Sequence, residues 1–536
     1  MVPRQDIVIR DPFIYYDNAI GRAYMYGTCD TIDGKRGFDV RETSDPTLQM
    51  WSERKPVWRK PDDFWGTRAY WAPEVHKYKD KYYLFATFEA PGRARTVQIL
   101  SSDSPRGPFR VHSPKPINGP KYFSLDGTLY VDNNGDPWMV YSREHVSIQD
   151  GEMRAMRLKD DLSAPARPIE DILLFKASSA NFAAVWHNAK GQKCYLTDGP
   201  QMLRLSNGDL VMVWSTNTIV PNPVHWSYTV AIAKSKSGDV QGPWVHEGVL
   251  YSGFAGHGQI FRHPIMGLVL SVHQPNSGRA PYPVFLSVYE NDGKLTMADP
   301  KTPSYVQAYW RFEDSTPQQD LLPSIDILDS SGKENHLIGE DFNTTGAGSA
   351  SVPASRVPAT LRLNLGSYDN SQEPAEGASV RHLRTAQSSI ETEEYNNWTI
   401  EASIRPADVS KPQVFISREQ SLEMALTNQN RLVIHLNGQQ ILSDKALKPD
   451  TWYNIAVACN GSKLKLYVDS GSGLELDKTV ELTKKPARLS QGRWYIGCAR
   501  RDNKLVDQFK GLLDEIRISS KALLPNAMLA RKSNQQ

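Results

Sequence analysis

SLDGTLYVDNNGDPWMVY, residues 124–141, reads as two apolar strands folded back on each other, with the Asn-Gly turn in DNNGD between them. Four further stretches repeat its plan of a polar residue, a small residue or Pro, an apolar run, a turn and a second strand. They are RDPFIYYDNAIGRAYMYGT (10–28), WAPEVHKYKDKYYLFATF (71–88), TDGPQMLRLSNGDLVMVWS (197–215) and GHGQIFRHPIMGLVLSVHQ (256–274). Strand pairs such as TVQILSSDSPRGPFR (96–110) and TVAIAKSKSGDVQGPWVH (229–246) fall between these hairpins and complete units of four strands. Hairpin units recurring at intervals of roughly 40 to 60 residues are the signature of a propeller. Helical periodicity is nearly absent over residues 1–300.

The polar, turn-rich segment NDGKLTMADPKTPSYV (291–306) marks a boundary, and AYWRFED, NNWTIEASIRP, WYNIAVACNGSKLKLYVDSG, RWYIGCAR and GLLDEIRISSKAL beyond it are short strands with Asn/Gly turns. The expected fold is therefore all-β, with a five-bladed β-propeller over residues 1–300 followed by a β-sandwich (jelly roll) over residues 306–530. The stretch from about 340 to 395, rich in Ser, Thr, Glu, Gly and Ala, is expected to supply long loops.

Composition narrows the partners. Across 536 residues, 62 basic and 60 acidic side chains nearly cancel without long single-sign blocks, which excludes a nucleic-acid footprint and a polybasic membrane patch. A neutral ligand fits better. No run approaches the ~18 apolar residues of a membrane span. The polar start MVPRQDIVIRDPF shows no signal-peptide apolar core. Cys29, Cys194, Cys459 and Cys498 are too sparse for a disulfide framework and lack metal-site spacing, so free, buried thiols are expected.

In a propeller the innermost strand of every blade lines the central channel. The inner strands bring Asp11, Glu74, Asp126, Asp198 and His257 to comparable places, and Asp11, Asp126 and Asp198 each stand immediately before Pro or Gly. An Asp before Pro or Gly ordinarily makes a turn. Three of them at matching places in a repeat argue for a shared mouth, where crowded carboxylates raise one another's pKa and need a task. Glycoside hydrolysis supplies one. One carboxylate activates water or attacks the anomeric carbon, and one carboxylic acid protonates the leaving oxygen.

DPFI at Asp11, WAPEVH at Trp71, SLDGTLYVDNNGDPWMVY around Asp126, DGP at Asp198, the SKSGDVQGPW element at 235–244 and GHGQIF around His257 together resemble glycoside hydrolase family 43, over roughly residues 5–300. The resemblance implies an inverting enzyme with Asp11 as general base, Asp126 as pKa modulator and Asp198 as general acid. This chain has Asp where the family usually carries Glu before Gly-Pro, one methylene longer. Glu144 in YSREH is therefore a rival acid; its alternative role is a surface pair with Arg143 or Arg154. The resemblance also implies that His257 lies beneath the site and contacts a hydrated structural Ca²⁺ near the propeller axis through waters, with no cofactor required for the chemistry.

Phe38, Trp71, Glu74 and Arg279 are expected to line the sugar pocket, with Trp65 and Trp186 as further candidates, whereas Trp138 and Trp214 are expected in the core. The C-terminal part resembles a laminin-G/concanavalin-like domain that braces the propeller or binds glycan. The expected function is an exo-acting α-L-arabinofuranosidase on plant-type oligosaccharides or polysaccharides, with β-xylosidase, β-galactofuranosidase or β-galactosidase activity as alternatives. A non-catalytic glycan-binding propeller and a protein-binding scaffold are the readings from other classes. A polymer substrate places the protein in a bacterial periplasm or outside the cell.

Overall fold

The computed structural model describes residues 1–297 apart from 47, 120, 168–170, 222–223, 253 and 278–279. Beyond these it describes residues 302–311, 325–327, 329–331, 333, 335, 337–343, 368–369, 379–385, 388–407, 411–469, 473–482, 488–502 and 504–529. The chain divides into two compact units, Met1–Met297 and Ala298–Gln536.

The first unit is a five-bladed propeller whose blades are four-stranded antiparallel sheets with neighbours in chain order. Their inner strands are Arg10–Asp17, Arg68–Tyr78, Ser124–Val131, Asp198–Arg204 and Gly256–His263. The hairpin turns are built where the sequence places them. Gly135 and Gly208 take φ of +82° and +92° in DNNGD and LSNGD, values that a β-carbon would strain.

Apolar faces of neighbouring sheets close on each other, as strands buried on both sides require. Phe13, Trp58, Phe64 and Phe88 pack between the first two blades. Phe85, Ile99, Met139 and Tyr141 fill the next gap. Trp138 and Trp214 are core residues, as expected, beside Phe175 and Met212. Burying each such side chain stabilises the propeller by about 1.5–3 kcal/mol relative to exposure. Cys194, Cys459 and Cys498 are buried and Cys29 half-buried, all as free thiols.

Every inner strand carries a β-bulge at the same place. The pairing register slips between Arg10 and Phe13, Trp71 and Glu74, Leu125 and Thr128, Asp198 and Gln201, and Gly256 and Gln259. The first extra residue is in each case left-handed: Asp11 (φ +52°), Ala72 (+44°), Asp126 (+56°), Gly199 (+49°) and His257 (+53°). Bulges re-aim a side chain out of the pleat. Asp198 therefore stands one position before the bulge and Glu74 two after it, so these two are not equivalent to Asp11, Asp126 and His257.

The bulge amides are stitched across blades. Ala72 N–H donates to Thr28 Oγ1 (2.7 Å), Asp126 N–H to Thr87 Oγ1 (3.1 Å), His257 N–H to Ser215 Oγ (2.8 Å) and Asp11 N–H to His273 Nδ1 (3.1 Å). Each acceptor belongs to the second strand of the preceding blade, with the fifth blade preceding the first.

The second unit is a sandwich of a seven-stranded and an eight-stranded antiparallel sheet among the described residues. Trp310, Trp398, Trp494, Phe415 and Ile516 form its core. Of the stretch expected as loops, Ser379–Thr385 is a strand pairing with Leu337–Asn343. Residues 344–367, 370–378 and 386–387 lie outside the described residues.

Candidate active site

The left-handed bulges aim Asp11, Asp126 and His257 at one another. His257 Nδ1 lies 3.4 Å from Asp11 Oδ1 and 3.6 Å from Asp126 Oδ2. Thr28 donates to Asp11 Oδ2 at 2.7 Å, and His273 Nδ1 is 3.3 Å from Asp11 Oδ1. Asp126 Oδ2 accepts the Gly199 N–H at 2.9 Å. The Tyr228 hydroxyl donates to Asp198 Oδ2 at 3.0 Å. Three carboxylates from the first, third and fourth blades thus converge around one imidazole from the fifth.

Their proton affinities diverge. Burial pushes the Asp11 carboxyl up, but His257, His273 and the charge of Arg10 together outweigh it and hold Asp11 well below the usual carboxylate range. Asp126 goes the other way, raised by burial, then by the Asp11 charge, against the pull of the Gly199 amide. Asp198 is also raised, by burial and then by the charges of Asp126 and Glu144, against His257 and the Tyr228 hydroxyl. A carboxylate kept ionised and a carboxylic acid kept protonated in one pocket are an acid–base pair.

Glu144 is buried at the end of the third-blade hairpin and is pushed up to about 7, by burial first, with Arg95 lowering it and Glu89 raising it. Its ionic neighbour is Arg95, with Nε 3.2 Å away, and not Arg143 or Arg154. Those two are taken up by Asp171 and Glu152. The Arg95 guanidinium also lies 4.8 Å from the Trp71 ring centroid and 5.1 Å from Phe123. Trp71 is 37% exposed, which leaves ring surface beside Arg95 for a ligand.

Other expected pocket residues are placed differently. Phe38 is 2% exposed and stacks on Trp58 in the core between the first two blades, so it offers no face to a sugar. Two aromatic neighbours, Tyr70 and Phe88, complete that cage. Glu74 is buried with Oε2 3.0 Å from His76 Nε2 and acts on the site only as a negative charge near Asp126. Arg279 lies outside the described residues. Trp65 donates to Gln98 and carries Arg93 over its ring at 4.3 Å, and Trp186 packs edge-on to His145. Among the described residues no three His, Cys, Asp or Glu side chains are arranged to hold a metal ion directly. The imidazole of His257 faces two carboxylates, whereas calcium prefers an all-oxygen shell. The described residues do not fit a directly bound cation.

In the second unit a cleft of about 960 Å³ includes Glu419, Glu423, His435, Arg501 and Asp507 in its lining. Arg501 bonds both Glu423 and Asp507, so these two carboxylates are held by one guanidinium.

Four residues of the pocket were not singled out from the sequence: Thr28, Tyr228, His273 and Asn276. Each acts across strands. His273 Nε2 lies 3.2 Å from Asn276 Oδ1, and Arg10 donates to the Asn276 carbonyl and side-chain oxygens at 2.7 and 2.8 Å. The hint available in sequence was a polar residue at the end of an apolar second strand, as in Thr28, Thr87, Ser215 and His273.

The family profile of Glycosyl hydrolases family 43 matches residues 6–285, and that of the Concanavalin A-like lectin/glucanases superfamily matches residues 379–527. Among solved structures the chain is similar to the endo-arabinase from Bacteroides thetaiotaomicron VPI-5482, with 36% identity over 55% of this chain and 99% of that one and a TM-score of 0.50. Among curated proteins it is 28% identical over 149 residues to xylosidase/arabinosidase 43A of Humicola insolens, covering 25% of this chain and 44% of that protein. It is 23% identical over 232 residues to the extracellular exo-α-(1→5)-L-arabinofuranosidase ArbA of Cellvibrio japonicus strain Ueda107, covering 37% and 60%. The chain spans about half the length of these curated relatives.

Proposed function

The chain belongs to glycosyl hydrolases family 43, and from that premise we propose that it is an inverting exo-glycosidase that releases terminal α-L-arabinofuranosyl units from plant-type glycans. The observation that carries the reading is the opposed proton affinity of Asp11 and Asp198 in one pocket. Asp11, ionised, accepts a proton from a water as that water's oxygen attacks the anomeric carbon. Asp198, protonated, gives its proton to the glycosidic oxygen as the bond to the leaving sugar breaks. One proton is taken up and one released, so a turnover ends with Asp11 protonated and Asp198 ionised, and exchange with solvent resets the pair.

Asp126 interacts with both. Its carboxyl oxygen is tied to the amide next to Asp198, so its charge is placed to raise the acid's pKa. Thr28 holds the Asp11 carboxylate and His273 the Asp11 amide in register. Burial of Asp126, Glu144 and His257 suits a pocket that admits a chain end. The named relatives support arabinose chemistry, since an endo-arabinase, an exo-arabinofuranosidase and a xylosidase/arabinosidase share it. The 36% identical endo-arabinase favours a second reading, cleavage within an arabinan chain. The extracellular relative and the polymeric substrate support a place outside the cytoplasm.

The test is hydrolysis of aryl α-L-arabinofuranoside, β-D-xyloside, β-D-galactofuranoside and β-D-galactopyranoside, followed by product analysis on linear arabinan. Turnover of the arabinofuranoside with arabinose as sole early product supports the reading. Early oligosaccharides move it to endo-action, and silence across the panel with retained glycan binding overturns it.

A further inference from the structure

The fourth blade is built taller than the others. Its second and third strands, Leu210–Pro221 and Val224–Ser235, stay paired for six rungs past Ser215↔Val230, whereas the inner strand starts at Asp198, opposite Ser215. The hairpin therefore rises beyond the pocket mouth on the side of Asp198. Opposed residues share a face, which puts Asn217 with Tyr228 and Ile219 with Trp226. Alternation along the strand puts Tyr228 and Trp226 on the same face, about 7 Å apart along the chain.

The two faces are treated differently. On one, the Thr216, Thr218 and Ser227 hydroxyls are buried and donate to the carbonyls of Leu196, Phe182 and Ser252. On the other, Tyr228 reaches Asp198 and lies 5.8 Å from the His273 ring, so this face looks onto the pocket. One step further out on it, Trp226 is 42% exposed and Ile219 is 50% exposed. An indole left half bare beside a pocket is what sugar stacking requires. The hairpin is also neutral, with no Asp, Glu, Lys or Arg from Leu210 to Ala233 in a chain that is otherwise 23% charged. A neutral ring fits such a wall and an ionic partner does not.

We propose that Trp226 is a stacking platform for a second sugar unit of the substrate, next to the unit whose bond is cleaved, and so sets the preference for oligosaccharide over simple glycoside. This rests on the reading of the Asp198 pocket as the site of hydrolysis. Continuity fixes the occupant: a glycan leaving the pocket past Tyr228 meets Trp226 next.

The experiment compares arabinotriose and xylotriose with the corresponding aryl monoglycosides on the full-length chain, Trp226→Ala and Trp226→Phe. In Trp226→Ala, kcat/KM for the trisaccharide is expected to fall roughly tenfold, mainly through KM, against less than roughly threefold for the aryl glycoside, and Trp226→Phe is expected to retain most of the wild-type value. Equal losses on both substrates, or none on the trisaccharide, overturn the platform. Calorimetric binding of the same trisaccharides to Asp11→Asn, with and without Trp226→Ala, separates the two readings. Binding that depends on Trp226, with no glycoside turned over by the wild-type chain, keeps the platform and removes hydrolysis. Turnover indifferent to Trp226 does the reverse, and absence of both binding and turnover removes both.

Discussion

The Gly199 amide donates to Asp126 Oδ2 at 2.9 Å, whereas the four other bulge amides go to hydroxyls or an imidazole of a supporting strand. In the fourth blade alone, a carboxylate of the pocket takes the place of the structural acceptor. The same hydrogen bond that seats the bulge thus orients Asp126 and brings its charge next to Asp198.

A β-carbon at Gly199 would lie 3.0 Å from His257 Cγ and 3.2 Å from its Cα, at a φ of +49° that side chains rarely adopt. Gly199→Ala is expected to displace His257 from Asp11 and Asp126. We expect kcat to fall at least roughly tenfold and the melting temperature to drop by several degrees, as for strain of about 1–2 kcal/mol. Kinetics and calorimetry of one preparation check both.

Asp11→Asn keeps the shape and removes the base. Turnover is expected to fall on the order of 10²–10⁴-fold, while arabinotriose binding survives. Retention of more than roughly a tenth of wild-type activity would reject Asp11 as the base.

The acid is tested by leaving group. Asp198→Ala is expected to slow unsubstituted oligosaccharides far more than aryl glycosides with good leaving groups, because only the former need protonation. The same pattern in Glu144→Ala, and its loss in Asp198→Ala, would assign the acid to Glu144.

Thr28 is a positioning residue, bridging Asp11 and the Ala72 amide. Thr28→Val removes a donor to the ionised form, so the Asp11 pKa rises and the acidic limb of the pH–rate profile moves to higher pH. Thr28→Ser should restore the limb. A change in stability alone, with the limb fixed, would make Thr28 merely structural.

Glu144 sets a pH dependence of stability. Its pKa is raised from 4.5 to about 7 in the fold, so its contribution is full below 4.5 and is lost as pH rises through 7. That difference is worth on the order of 3 kcal/mol. Glu144→Gln should therefore gain on the wild type in thermal unfolding at pH 8 and not at pH 4. Equal differences at the two pH values would contradict it.

The hairpins and their turns were legible because Asn-Gly and Gly-Asp signals act locally, and so was the convergence of Asp11 and Asp126, because a repeat exposes what recurs. Asp198 was found through its Gly-Pro context but placed one residue out of step, since the bulge is a matter of strand register. Phe38 failed as a pocket residue because its burial depends on Trp58, Tyr70 and Phe88 arriving from other strands. Tyr228 was invisible for the same reason: an ordinary hydroxyl gains its task only from a neighbouring strand.

The first blade is made wholly from the start of the propeller sequence and the fifth wholly from its end, with no strand exchanged between them. The circle is fastened by side chains and loops: His273 to the Asp11 amide, Ser271 to the Pro12 carbonyl, Gln259 to both backbone groups of Ile14, and Arg10 to Asn276. The clasp and the base are one stretch of chain. Loosening of the ring at this seam would unseat Asp11 before any blade came apart, so loss of turnover on heating should run ahead of loss of β-structure, and activity itself serves as the gauge of whether the ring is shut.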